Sequence, residues 1–263
     1  MDYLSHIRAQ NPLVLNITNV VVSNFVANGL LALGASPIMS NAPEEMDELT
    51  ALCQALVINI GTLNREQIAA MHAAGKRANA CGIPVVLDPV GVGATTFRQQ
   101  TVQALLEEID VAAIRGNAGE IATLAGSQWQ SKGVDAGTGE GDVAHMAKAL
   151  ATRYNTVVAV SGAVDVITDG TQCVRVNNGS PLFPRITGSG CLLSAVCGAY
   201  LAQSGGDHFT AVWQACRDYA IAGQLAAQGV QAHQCGQFAV ALLDSLAQLN
   251  PAMITQEEQI DVE

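Results

Sequence analysis

Aromatic side chains are scarce in this 263-residue chain: two Trp, four Tyr and five Phe, 4% of the whole. Its core therefore has to be assembled from Ala, Val, Leu, Ile and Gly, which suits helices packed closely on a sheet. Basic charge is also scarce, with 12 Lys and Arg against 23 Asp and Glu and a net charge of −11. That argues against a nucleic-acid partner and against binding to an anionic membrane, since both need a basic face. Any phosphate compound the chain binds must be neutralised locally. The seven cysteines, at 53, 81, 173, 191, 197, 216 and 235, form no C-x-x-C pair and no metal-finger spacing. An odd count in a chain this long speaks against a disulfide framework. No apolar run reaches the roughly 18 residues of a membrane span, and the first residues lack the basic-then-apolar pattern of a signal peptide. Repeats, low-complexity segments and linkers are absent too. The expectation is a soluble, cytoplasmic protein folded as one domain over residues 1–263.

What is present is a regular alternation. Segments 13–17, 55–60, 84–87, 111–115 and 157–161 are short, rich in Val, Ile and Leu, and bounded by Gly, Asn, Asp or Pro. Between them, 23–33, 64–79, 97–107, 117–125 and 143–154 have helical periodicity, with Gly34 and Gly82 placed as C-terminal caps. Doubly apolar strands alternating with helices predict an α/β fold, a mainly parallel sheet covered on both faces. The rhythm then changes. Segments 164–168 and 172–176 flank Asp169-Gly170, a hairpin signal. Residues 191–249 carry three helical stretches, and the acidic tail after Asn250 is expected to fray.

In such sheets ligands bind at the carboxyl ends of the strands. Four polar groups fall there: Asn16-Ile-Thr-Asn19, Asp88-Pro-Val-Gly91, Arg115-Gly-Asn-Ala-Gly-Glu120 and Ser161-Gly162. Each has a plain reading as strand-end punctuation, with Asn19 and Asn117 as helix caps and Asp88-Pro89 as a turn. They coincide, however, with Thr187-Gly-Ser-Gly-Cys191, a Gly-x-Gly turn running into an apolar helix. There Gly188 and Gly190 let the backbone turn tightly and aim N–H groups, with the helix dipole, at an anion. Asp88 and Glu120, directly or through water, suit Mg²⁺, which keeps several waters and takes few protein ligands. The planar fork of Arg115 suits a phosphate. Metal, cation, N–H cradle and a group near an acceptor hydroxyl are the parts of phosphoryl transfer.

Leu87-Asp-Pro-Val-Gly91, Ala113-Ile-Arg-Gly-Asn117 with Glu120, Lys132-Gly-Val-Asp135 and Thr187-Gly-Ser-Gly-Cys191 together resemble hydroxyethylthiazole kinase. So do Asn11-Pro-Leu-Val14, Ile17-Thr-Asn19 and the run from Ala27 to Pro37. The resemblance covers almost the whole chain in order. It implies a ribokinase-like fold and Mg²⁺- and ATP-dependent phosphorylation of 4-methyl-5-(2-hydroxyethyl)thiazole for thiamine diphosphate synthesis. It also implies a homotrimer with sites at subunit contacts. Carried over by motif, Arg115, Asn117 and Ser161 would bind ATP, and Asp88 and Glu120 would organise Mg²⁺. Met39, Gly188 and Asn19 would contact the thiazole. Cys191 stands where superfamily relatives carry an Asp base; a thiol with a pKa of about 8.5 is only a few per cent ionised at pH 7, though a helix N-terminus can lower that value. Near the end, Gln234-Cys-Gly-Gln-Phe238 replaces the family's common Gly-Pro-Gly-Ser-Phe.

Two rivals remain open on the residues alone: a superfamily kinase for another small alcohol, and a nucleotide-binding sensor without catalysis. Cys191 and the Asn19/Met39 region favour the thiazole over the first. A carboxylate pair beside an acceptor site weighs against the second. His6, His72, His145, His208 and His233 show no ligand spacing, and Cys53, Cys197 and Cys216 read as small buried hydrophobes.

Overall fold

The computed structural model describes residues 2–126, 130–132, 135–138 and 142–263, with backbone alone for 130–132 and 135–138. In chain order, α1 (Tyr3–Gln10), β1 (Leu13–Ile17), α2 (Ser23–Leu33), β2 (Ser36–Met39), α3 (Met46–Leu52) and β3 (Ala55–Asn59) come first. Next are α4 (Arg65–Cys81), β4 (Val85–Asp88), α5 (Thr96–Glu108), β5 (Ala113–Asn117) and α6 (Ala118–Leu124). β6 (Gln130–Lys132) and β7 (Asp135–Thr138) make a separate antiparallel pair. Residues 133–134 of the Lys132–Asp135 motif lie outside the described residues. α7 (Val143–Tyr154), β8 (Val157–Ser161), β9 (Asp165–Thr168) and β10 (Cys173–Val176) follow. The chain closes with α8 (Ser189–Leu201), α9 (His208–Ala226), α10 (Cys235–Gln248), α11 (Pro251–Glu257) and β11 (Ile260–Val262).

Nine strands form one sheet in the order β11-β10-β9-β8-β5-β4-β3-β1-β2. The six from β8 to β2 are parallel, and β9, β10 and β11 continue it antiparallel. Period-2 alternation divides the apolar residues between two cores. Val14, Val57, Val86, Ala113 and Ala159 face α1, α2 and α8–α10, while Leu15, Leu56, Ile58, Leu87 and Val158 face α4, α5 and α7. Small residues let these layers approach closely. A Cβ on Gly198 would come within 2.8 Å of Val57, and one on Gly75 would overlap the side chain of Ile109. No single helix among the described residues is long and apolar enough to cross a membrane.

The predicted alternation, the hairpin at Asp169-Gly170 and the caps at Gly34 and Gly82 agree with this fold. Several expectations do not. The segment read as 111–115 pairs instead from Ala113 to Asn117, because its polar end lies in register with Val160 and Ser161 of β8. Asn19 caps no helix: α2 begins after Val22, and the Asn19 side chain turns into the sheet edge. The tail after Asn250 is ordered rather than frayed. Asn250 caps α11, and β11 pairs with β10, with Arg175 meeting Glu263 at 2.8 Å. Composition does not reveal such non-local pairing. Edge strand β2 was missed as well.

Gly75→Ala should lower stability by about 1–3 kcal/mol, because the methyl has no room beside Ile109. Trimming that neighbour with Ile109→Val should recover part of the loss. Urea midpoints of the single and double variants check both statements.

Candidate active site

β3, β4, β5 and β8 run parallel and end at one edge of the sheet, and the pleat decides which of their last residues meet. Asn59, Asp88, Arg115 and Ser161 share the parity of Val57, Val86, Ala113 and Ala159, so all four face the side where α8 packs. Asn59 and Asp88 are register partners, joined by an Asn59 Nδ2 to Asp88 Oδ2 hydrogen bond of 2.8 Å. From α8, Ser194 donates to the same oxygen at 2.7 Å. Asp88 Oδ1 is buried with no hydrogen-bond partner.

Arg115 sits on the next strand, 8% exposed, with Nε and Nη2 donating to Ser161 Oγ at 3.2 and 2.5 Å. No carboxylate among the described residues lies within ion-pair distance of it. Its guanidinium lies against the start of α8, where a Cβ on Gly190 would stand 2.6 Å from Nη1. Here the sequence reading needs correction. Gly188, with φ +90°, makes the turn, whereas Gly190 already belongs to α8 and is needed for the room Arg115 takes. Gly188 in turn packs on Val22, next to the start of α2.

Asn117 caps α6 in a reciprocal capping box: its Oδ1 accepts from Glu120 N at 3.0 Å and its N–H donates to Glu120 Oε2 at 2.8 Å. Glu120 Oε1 accepts from the Gly91 N–H at 2.8 Å. Both carboxylate oxygens are thus held by backbone, in contrast to the open oxygen of Asp88. On the other flank, Asn19 Nδ2 donates to Asn59 Oδ1 at 3.0 Å and lies 3.4 Å from Cys191 Sγ. Eight of the nine candidates therefore gather at this edge. Met39 stands apart from their hydrogen bonds, half-buried at the end of β2 and in register with Asn16.

The hydroxyethylthiazole kinase family profile matches residues 4–252. The chain belongs to the hydroxyethylthiazole kinase family. A hydroxyethylthiazole kinase from Pasteurella multocida is 60% identical over 99% of this chain and 98% of its own length. A solved hydroxyethylthiazole kinase from Pyrococcus horikoshii is 39% identical, covers 100% of this chain and 98% of its own, and superposes with a TM-score of 0.90. Pyridoxal kinase from Staphylococcus aureus, at 14% identity, covers 96% of this chain and 98% of its own with a TM-score of 0.66, which shows the shared ribokinase-like fold.

In this member of the hydroxyethylthiazole kinase family the charges at the edge are strongly perturbed. Burial raises the pKa of Asp88, and only partly do Arg115, Ser194 and Asn59 oppose it. Glu120 is pushed up to about 7, by burial first and then by the charge of Asp88. For Arg115 burial is the largest influence and disfavours the charge, but Asp88, Glu120 and Asp165 outweigh it and hold its pKa above the ordinary value. At Cys191 burial prevails over the helix N-terminus. Its thiol is pushed up to about 12 by burial and then by Asp88, so the helix N-terminus does not produce a thiolate.

Sequence reasoning missed four residues. Asn59 and Ser194 were visible as polar residues inside apolar segments, yet nothing local links them to Asp88. Asp165, pushed up to about 6 by burial, accepts from the Gly162 N–H at 2.9 Å. Arg98 of α5 carried no signal. It donates to the carbonyls of Ile60, Gly61 and Val90 at 2.9, 2.8 and 2.5 Å, tying the loops after β3 and β4 together.

Because Glu120 binds a proton more readily here than an ordinary Glu near 4.5, its contribution to stability is full below that value and lost as pH rises through about 7. The ligand-free protein should therefore weaken across that window, and Glu120→Gln, which does not ionise, should flatten the profile. Urea midpoints at a series of pH values test this. An identical slope in both proteins sinks it.

Proposed function

We propose that this chain, folded as one domain over residues 1–263, transfers the terminal phosphoryl group of Mg²⁺-ATP to the hydroxyl of 4-methyl-5-(2-hydroxyethyl)thiazole, a step in thiamine diphosphate synthesis or salvage. One observation carries the reading beyond family membership. A buried carboxylate with an unpartnered oxygen, Asp88 Oδ1, lies on the same face as a buried arginine without a carboxylate partner and the start of α8.

The donor set fits Mg²⁺. Among the described residues no group of three or more His, Cys, Asp or Glu could hold a metal, but Mg²⁺ needs only one or two carboxylates and keeps its waters. Asp88 would contribute Oδ1, and Glu120, with both oxygens held by backbone, would act through water. When bound, the ion neutralises charge on the phosphate oxygens. Arg115 supplies the positive charge that a chain of net −11 otherwise lacks, and the N–H groups at the start of α8 complete the cradle. Ser161 and Asn117 fix that side: the first holds the guanidinium, the second holds Glu120.

Cys191, Asn19 and Gly188 line the side nearer α2, and with Met39 they would receive the thiazole. At pH 7 a thiol at about 12 stays protonated, so Cys191 contributes position and a weak acceptor for the hydroxyl proton. Phosphoryl transfer relies chiefly on alignment and electrostatics, which makes this sufficient. Val20 and Val21, 76% and 66% exposed beside Asn19, give an apolar rim that supports subunit contacts at the site and the homotrimer. The acidic charge and the absence of a spanning helix among the described residues support a cytoplasmic enzyme without nucleic-acid or membrane partners.

ADP release measured with Mg²⁺-ATP and a panel of heterocyclic alcohols tests the substrate. Faster turnover of a pyrimidine or pyridoxal compound would leave only the kinase class standing. Arg115→Ala should weaken ATP binding by roughly 1.5–3 kcal/mol, the worth of a charged hydrogen bond. Unchanged nucleotide affinity by calorimetry removes it from the site.

General-base help is worth roughly 10²–10⁴-fold, and a thiol that stays protonated supplies alignment instead of that help. Single-turnover rates should therefore drop measurably but by less than about 10²-fold in Cys191→Ala, with ATP still bound. They should hold or rise in Cys191→Asp, whose carboxylate is the stronger base. A silent Ala variant rules out the role.

A further inference from the structure

Asn59 belongs to none of the motifs above, yet it joins the two halves of the site. Its Nδ2 meets Asp88 Oδ2 at 2.8 Å, and its Oδ1 meets both Asn19 Nδ2 at 3.0 Å and the Gly61 N–H at 2.9 Å. Which end of an amide is oxygen is normally settled by its partners. Here one partner leaves no choice. A backbone N–H only donates, so the atom facing Gly61 is the oxygen, and the nitrogen has to face Asp88.

That orientation fixes the rest in sequence. Asn59 Oδ1 already accepts from Gly61, so Asn19 must also present its NH₂ to it. The same NH₂ lies 3.4 Å from Cys191 Sγ. Asn19 Oδ1 is then left as an acceptor that no other described residue uses. At the opposite end, Asp88 Oδ2 accepts from both Asn59 and Ser194, while Oδ1 has no partner. The starting donor is itself held. Arg98 binds the Gly61 and Ile60 carbonyls at 2.8 and 2.9 Å, and the Ile60 N–H reaches the Asp88 carbonyl at 3.2 Å. Gly61 admits no side chain, because a Cβ there would come within 2.7 Å of Asn19 Nδ2.

We infer that Asn59 is a positioning residue that sets the direction of this hydrogen-bond chain. It leaves Asp88 Oδ1 as the atom available to a cation and Asn19 Oδ1 as the atom available to a substrate hydroxyl. The inference rests on the thiazole-kinase reading for the identity of the two ligands. Asn suits the position because its amide carries a donor and an acceptor at one length. Asp would keep the acceptor toward Gly61 and Asn19 but set a second carboxylate against Asp88. Leu would fill the space and do neither.

The test compares wild type, Asn59→Asp and Asn59→Leu in three measurements: thiazole alcohol binding by calorimetry without nucleotide, Mn²⁺ affinity in the presence of ADP by electron paramagnetic resonance, and kcat. Asn59→Asp should bind the thiazole alcohol within about threefold of wild type, because its oxygen still accepts from Asn19. Its Mn²⁺ affinity should fall by more than about tenfold, with kcat, because a charged donor bond is lost. Asn59→Leu should lose both, the thiazole alcohol by roughly tenfold. A merely structural role moves both ligands together in both variants. Equal losses, no losses, or unchanged or tighter Mn²⁺ binding in Asn59→Asp overturn the inference.

Should the Asn59 variants fail to fold, the two ends can be cut separately. Ser194→Ala should weaken Mn²⁺ alone and Asn19→Ala the thiazole alcohol alone, and any other pattern counts against the chain. Wild type that does not bind the thiazole alcohol overturns the substrate reading instead. The Mn²⁺ measurements still judge Asn59.

Discussion

Three ionisable side chains, Asp88, Glu120 and Arg115, are buried together at the carboxyl edge of the sheet, and much of the surrounding structure serves to accommodate them. Removing charges from water is expensive unless each is matched by partners of the right kind. The fold matches them unequally. Glu120 is saturated by backbone N–H groups and Arg115 rests on a serine hydroxyl, whereas Asp88 is satisfied on one oxygen only. The ligand-free protein therefore retains an electrostatic strain that a cation and an anion entering together would relieve. That is the physical basis of the phosphate site proposed for a chain with so few basic residues.

The same burial decides the character of Cys191. A helix N-terminus can favour a thiolate. In the folded protein, loss of water and the neighbouring Asp88 charge both act against it and prevail. In the proposed reaction, a neutral thiol at this position would act through hydrogen-bond geometry rather than basicity. The Asn19 contact to its sulfur and the Asn59 link behind it give that geometry its rigidity.

Glycine positions near the site divide by cause. Gly188 is required by its backbone angle, while Gly61 and Gly190 are required by the space their neighbours need. Arg98 plays the complementary part by binding three carbonyls just past β3 and β4, which ties together the loops that follow Asn59 and Asp88. Far from this edge, β11 covers β10 and uses the last residues of the chain to finish the sheet. Strand ends and the start of α8 thus carry the candidate site, and small residues give its side chains room.

The sequence by itself determined the alternation of strands and helices, the caps at Gly34 and Gly82, the hairpin at Asp169-Gly170 and most of the polar residues of the candidate site. Hydrophobic periodicity and turn chemistry are local, and the motifs at Asp88, Arg115–Glu120 and Gly188–Cys191 are contiguous. Only the tertiary structure decided that Asn59 and Ser194 meet one oxygen of Asp88, that Arg115 stands over Gly190, that Asn19 leaves its helix uncapped to reach Cys191, and that the tail becomes a strand. Those facts depend on strand order, register and pleat parity, which bring together residues up to 172 positions apart. The Cys191 thiol shows the reason most plainly. Its pKa is set by how much water the whole fold excludes and by a carboxylate on another strand, and neither quantity is written in the residues next to it.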